Sequence, residues 1–390
     1  MERKTGTTAR GIRLPIISPG EDLANIVIDS VLSASESAGF EIKNRDVIGI
    51  TEAIVAKSQK NFATVDDIAT DVKAKFPGGV VGLTFPIASR NRFFNILKGI
   101  SKGVDKLYVL LSYPSDEVGN PIVDAEMVYE HEAKAKDTLL SEKEFVELFG
   151  SYVHPFTDTN YIDLYKSAGD NIEIYFSRRP TDILKLTSHV LEGSIHTREL
   201  NRKRLLKEGA ETVYTLCDIL SAPINGSGYN ENYGLLGSNL STENSLKLFP
   251  RNPQELLKKV QEGIKAKTGA DIEVMVYGDG AFKDPVCGIW ELADPVVSPG
   301  YTAGLEGTPN EIKLKYIADA SFGDLTGDEK RDAVTKMIKE KGAQAEHSEG
   351  TTPRRYFDLL GSLCDLTSGS GDKGTPVVHI QGYFDDYSME

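Results

Sequence analysis

An α/β or α+β fold, with a mixed sheet flanked by helices, is what this 390-residue sequence predicts, on three observations. Short apolar runs of strand length alternate with longer stretches whose apolar residues recur at helical spacing, the pattern of chains that layer helices on a sheet. Capping residues and Pro-Gly turns fall where the two patterns meet. No fixed-period repeat is present.

In chain order, residues 11–17 predict a first strand, Pro19-Gly20 turns it, and Glu21-Asp22 opens a helix to about Ala34. Residues 46–50 predict a second strand, leading into T-E-A-I-V-A-K-S at 51–58. Further strands are expected at 79–83, 106–111 and 172–176, and helices at 65–75, 92–102 and 197–207. Between Tyr113 and Arg179 acidic and aromatic patches break the rhythm, which predicts an insertion or a second lobe. The domain reading is therefore a core from 8–112 and 180–384 around an insertion at 113–179.

Asn252 and Glu255 form a capping-box pattern with Pro253 at the first helical position, and Leu256, Leu257, Val260 and Ile264 follow as an apolar stripe. Gly269 is placed to end that helix. Ile272, Val274 and Val276 then alternate as a strand, and the Gly278-Asp279-Gly280 turn puts a carboxylate at its exit. Ligands gather at that edge of a helix-flanked sheet, so Asp279 suggests a metal or phosphate site. Thr326 to Glu329 is a second capping-box pattern, starting a charged helix to about Lys341.

A helix over 356–366 runs into S-G-S-G-D-K-G-T-P at 368–376 and then the strand V-V-H-I. Gly369, Gly371 and Gly374 have the spacing of a dinucleotide fingerprint, but in the order helix, turn, strand rather than strand, turn, helix. Lys373 precedes a glycine, unlike the lysine of a Walker loop. The run offers either backbone N–H groups as an anion nest with Lys373 as a point charge, or an ordinary turn. Arg90 and Arg92 stand at a helix start after Pro86, and either clamp a carboxylate or phosphate or face solvent beside a helix cap. Arg198, Arg202 and Arg204 form a basic stretch that reads as a solvated helix face or an anion-focusing one.

The formal net charge of −14 argues against general nucleic-acid binding, which needs positive surface to displace counterions. Cys217, Cys287 and Cys364 are far apart and give neither a C-x-x-C pair nor zinc spacing, as expected of a reducing compartment. No apolar secretion core or membrane-spanning run is found, so a cytoplasmic protein without membrane contact is expected.

Four segments, in a shared order, resemble the γ-glutamyl ligase family that elongates the deazaflavin coenzyme F420. They are R-L-P-I-I-S-P-G-E-D-L at 13–23, D-V-I-G-I-T-E-A-I-V-A-K at 46–57, G-L-L-G-S-N at 234–239 with the helix and strand to Asp279, and the glycine loop through G-T-P-V-V-H-I-Q-G. The resemblance implies that family's mixed-sheet fold, GTP with Mg²⁺ or Mn²⁺, L-glutamate, a small acidic acceptor and a homodimer. It also implies nucleotide contacts from Leu14, Pro15, Ile16, Ile17, Lys57, Asn239, Gly369, Gly371, Lys373 and Gly374. By the same resemblance Asp279 and Lys57 are catalytic, Asp279 and Asp372 hold metal, and Arg90 and Arg92 face substrate.

The chain departs from the family pattern in four places: Leu236 replaces a metal-binding acid, Gly280 a hydroxyl residue, Ala53 a lysine, and the acidic or amide ligand of the glycine loop falls near Ser370 and Gly371, beside Asp372. Asp372, Glu243, Asp284 and Glu291 are available oxygen donors of the kind hard cations need. The competing readings are a folate-type γ-glutamyl ligase and a metal-independent protein that binds a nucleotide or anionic metabolite without catalysis.

Overall fold

The computed structural model describes residues 5–115, 122–132, 138–154, 157–279, 296–341, 355–368 and 372–388. The chain divides into two compact units, residues 1–58 with 252–390, and residues 59–251. It enters the first unit through β1 (Thr8–Ile12), α1 (Leu23–Ala38), β2 (Val47–Thr51) and α2 (Glu52–Ser58). The second unit begins with β3 (Phe62–Thr64), α3 (Val65–Lys75), β4 (Val80–Thr84), α4 (Arg90–Gly103) and β5 (Lys106–Leu111). It continues through α5 (Ala125–Glu132), β6 (Leu140–Ser141), α6 (Glu142–Phe149), β7 (Val153–His154), β8 (Thr159–Asn160) and α7 (Tyr161–Lys166). Next come β9 (Ile172–Phe176), β10 (His189–Glu192), α8 (Arg198–Lys207), β11 (Thr212–Thr215), β12 (Asn239–Thr242) and β13 (Ser245–Lys247). The chain returns to the first unit with α9 (Gln254–Thr268), β14 (Glu273–Asp279), β15 (Val296–Tyr301), α10 (Leu314–Ala320), α11 (Gly327–Glu340), α12 (Tyr356–Thr367) and β16 (Val377–Gln381).

In the first unit the strand order is β1-β16-β2-β14-β15, with β2 parallel to β14 and antiparallel to β16. Strand alternation sorts the core into two layers. Ile48, Ile50, Val274 and Val276 pack with Val27 and Val31 of α1 and Val260 and Ile264 of α9. Val47, Met275, Tyr277, Val378 and Ile380 pack on the other face with Phe357, Leu360 and Cys364. At Gly49 only a glycine fits, because an added Cβ would stand 2.3 Å from the Cys364 sulfur. At the far end of the sheet His379 Nε2 meets Asp46 Oδ2 at 2.7 Å, and Phe40 stacks on the imidazole with ring centres 4.9 Å apart.

The second unit holds a six-stranded sheet in the order β11-β10-β4-β5-β9-β6. All neighbours are parallel except β6, which pairs antiparallel with β9. Connections leave β4 in one direction, toward β5, and β10 in the other, toward β11. The strand order therefore reverses between β4 and β10, the switch point of a doubly wound sheet. Helix α3 starts on a reciprocal capping box between Thr64 and Asp67, and α4 on a cap from Ser89. A smaller antiparallel sheet, β12-β13-β3, completes the unit together with the β7-β8 pair.

The mixed α/β class follows the sequence, while several boundaries move. The first strand ends at Ile12 rather than at residue 17, because the chain beyond runs into Pro15, which has no N–H for a ladder. Helix α1 extends to Ala38 and closes on Gly39 at φ 66°. Pro253, not Asn252, is the N-cap of α9, without a side-chain cap; Glu255 pairs with Lys259 at 2.7 Å instead. Thr326 likewise makes no side-chain cap for α11. Gly278 and Asp279 belong to β14 itself, opposite Val297 and Val296, rather than to the turn expected there. The expected boundaries at 112/113 and 179/180 both fall inside the second unit, where β9 pairs with β5.

Candidate functional site

One row of the five-stranded sheet reads Ile12, Val377, Ile50 and Val276 in register. Just past this row four segments emerge on the same edge. They are residues 13–17 after β1, residues 372–376 before β16, Thr51 and Glu52 where β2 becomes α2, and the Tyr277–Asp279 end of β14. Each of the four stretches singled out in the sequence therefore contributes to one sheet edge, the third only through the end of β14, since residues 234–239 belong to the second unit.

Backbone hydrogen bonds fix the meeting. Leu14 N–H donates to the Gly374 carbonyl at 3.2 Å, and Thr51 N–H to that of Pro376 at 3.0 Å. Gly20 N–H donates to the Ser58 carbonyl at 3.0 Å, so residues 14–20 are tied at one end to the glycine loop and at the other to α2. With Leu14 committed and Pro15 lacking an N–H, donation to a ligand from this stretch falls to Ile16 and Ile17. Ile16 is 91% exposed and Ile17 only 4%, so the buried residue anchors the stretch and presents its neighbour.

Gly374 has φ 64° and open space where a Cβ would stand, the freedom an anion-cradling turn needs. Lys373 and Asp372 are exposed in the same turn, whereas Gly369 and Gly371 lie outside the described residues. Lys57 sits partly buried in the last turn of α2, next to Ser58, and its ammonium makes no ion pair with the described residues. Glu52, 6% exposed, opens that helix at the edge.

Asp279 is the last residue of β14, two places beyond Tyr277, the partner of Thr51. Gly280, Asp284 and Glu291 lie outside the described residues. Among the described residues no three carboxylate, imidazole or thiol groups converge to hold a metal ion. The metal ligands that the resemblance implies, Asp279 and Asp372, are both carboxylates. Oxygen donors suit Mg²⁺, which commonly takes one or two protein carboxylates and completes its shell with water and phosphate.

Asn239, Arg90 and Arg92 belong to the second unit. Asn239 opens β12, and its side-chain oxygen accepts the Leu240 N–H at 2.9 Å. Leu236 is packed against the second unit's apolar core, a place where an acid would be costly. Gly234 has φ 52° and faces the carbonyls of Leu216, Cys217 and Ile219 within 2.6 Å of an added Cβ, which accounts for the glycine of that motif. Ser89 caps α4 through Arg92 N–H at 3.3 Å; Arg90 is exposed and Arg92 partly buried.

The second unit also holds a polar centre that sequence reasoning missed. Glu192, with no solvent exposure, ends β10 at the switch point. Its carboxylate accepts from Thr84 of β4, from the Ser194 hydroxyl, from Ser194 N–H at 3.1 Å and from Asn201 Nδ2 at 3.2 Å. Burial pushes its carboxyl above the usual range, and these hydrogen bonds only partly offset the rise. The one available signal was a glutamate closing the short apolar run H-V-L-E before a glycine.

These features define an α/β protein whose mixed five-stranded sheet brings four chain segments to one edge. The chain belongs to the F420-0:gamma-glutamyl ligase family, whose sequence model matches residues 11–382, nearly the whole chain. The function supported by that membership is ligase chemistry on small molecules in F420 biosynthesis. No individually curated protein matches the chain. No helix among the described residues is long and apolar enough to cross a membrane.

Proposed function

We propose that the protein joins the amine of L-glutamate, or of another amino acid, to a carboxylate of a small acidic acceptor at the expense of GTP. The observation that carries this reading is the convergence of residues 13–17, the start of α2, residues 372–376 and the end of β14 on one sheet edge. A carboxylate is a poor electrophile, so the γ-phosphoryl group of GTP first passes to the acceptor oxygen, giving an acyl phosphate and GDP. The amine then attacks the carbonyl carbon, inorganic phosphate leaves with the C–O electron pair, and the amine proton goes to solvent or a nearby base.

Such transfer depends on positioning and charge neutralisation more than on covalent catalysis. Lys57 and Lys373 are the cations for the phosphates, Gly374 and Ile16 offer close backbone approach, and Arg90 and Arg92 are candidates for holding an acidic substrate. Asp279 and Asp372 would hold Mg²⁺ or Mn²⁺, which supplies further neutralisation when bound. A homodimer is part of the proposal and is tested by sedimentation.

The test is phosphate release from GTP with L-glutamate and a deazaflavin or folate acceptor. Release should require both acceptor and amino acid, and Lys57→Ala should lower it by about two orders of magnitude. Equal release by Lys57→Ala would remove the lysine from the mechanism. A second reading, a binding protein without catalysis, draws on Leu236, which lies against an apolar core where the family pattern has an acid. Saturable GTP binding with no amide product for any acceptor would favour it.

A further inference from the structure

In the second unit a cavity of about 550 Å³ lies beside the 3-10 turn Pro180–Lys185 and α8. Its wall carries Arg178, Arg179, Lys185 and Arg204, against Asp182 and Glu208. Four cations around one cavity run against the background of a chain whose net charge is −14. The volume is in the range of small-molecule sites.

Asp182 does not offset the arginines. It is 7% exposed and accepts from the hydroxyls of Ser177 and Thr138, each at 2.6 Å, while Lys185 Nζ stands 3.0 Å from its other oxygen. Its charge is consumed in bracing the turn and pairing Lys185. What faces the cavity is a set of arginines opposed by Glu208.

Those arginines come from two separately anchored walls. Arg179 N–H donates to Ser177 Oγ at 3.0 Å, and Pro180 fixes the next φ, so the backbone is set before any ligand arrives. Arg204 projects from α8, whose Leu205 is fully buried beside Ile183 and Val190. Neither the Arg179 nor the Arg204 guanidinium has a carboxylate within ion-pair distance among the described residues. Like charges held together on rigid elements cost free energy that an anion between them removes.

We propose that this cavity binds a small polyvalent oxyanion, a phosphate ester or a polycarboxylate, through the guanidinium groups of Arg179 and Arg204. Planar forks on two walls match the geometry of carboxylate and phosphate oxygens better than flexible ammonium groups would. The site is built wholly from the second unit, and it stands or falls independently of the ligase reading.

The test is calorimetric titration of the full chain at low salt with inorganic pyrophosphate and, separately, citrate. At least one should bind saturably, about tenfold or more weaker in Arg179→Ala/Arg204→Ala, while Lys143→Ala, on the exposed face of α6, binds as wild type. Replacing both arginines by lysine should leave an intermediate affinity, and circular dichroism checks that each variant folds. Pyrophosphate binding alone identifies a phosphate ester, citrate alone a polycarboxylate, and both the shared oxyanion chemistry. Absence of saturation with either probe at millimolar concentration overturns the proposal. So does binding whose affinity is unchanged in the double alanine variant or equally weakened in Lys143→Ala.

Discussion

At Glu192 a carboxylate with no solvent exposure is held by three side chains and one backbone N–H. Because its folded pKa is raised, the folded state binds more protons than the unfolded state above the ordinary glutamate range. Stability therefore falls as pH rises through that window, and the cost of ionising the buried group is fully present above the raised value. Glu192→Gln should flatten this part of the stability–pH profile in denaturant unfolding and match or exceed wild-type stability at neutral pH. Glu192→Ala should instead lose about 1–3 kcal/mol by stranding the Thr84, Ser194 and Asn201 donors. An unchanged pH profile in Glu192→Gln would refute the assignment. The place of Asp279 at the end of β14 was legible in the sequence because a clear alternating strand leads to it. Glu192 was not, because β10 has only four residues and its neighbours in the sheet come from distant parts of the chain.

Among the elements, β2 and β16 organise the first unit, and their far ends are joined by His379 and Asp46, which Gln381 Nε2 also reaches at 3.0 Å. Removing the imidazole takes one partner from the buried Asp46 carboxylate, which keeps Lys43 N–H and Gln381 Nε2, and opens a void beside Phe40. His379→Ala should cost about 2–4 kcal/mol, combining both effects. Hydrogen exchange is the suitable probe, since a chain of two units need not unfold in one step. Amides of β2 and β16 should exchange faster while those of β4 and β5 keep their rates; unchanged exchange in β2 would contradict the joining role. Helix α3 was readable to the residue because Thr64 and Asp67 cap it reciprocally, as local sequence suggests. The start of α9 was misread because Pro253 takes the cap position and Asn252 adopts φ 22°, neither of which spacing reveals. The glycine loop's order, helix then turn then strand, was correct, as α12 and β16 show.

For the whole molecule, the alternation of strands and helices was enough to give the mixed α/β class, and family membership spans residues 11–382. The division at 58/59 and 251/252 left no mark in composition, because the chain enters the second unit one residue past α2 and returns at the residue before Pro253. The edge of the first unit could be anticipated only as separate motifs; the register of β1, β16, β2 and β14 is what brings them together. Calorimetric titration with GTP, in Mn²⁺ or in EDTA, tests the ligase reading of that edge most directly. Binding should require the metal and be lost in Asp279→Ala. Binding indifferent to metal, or no binding at all, would contradict it.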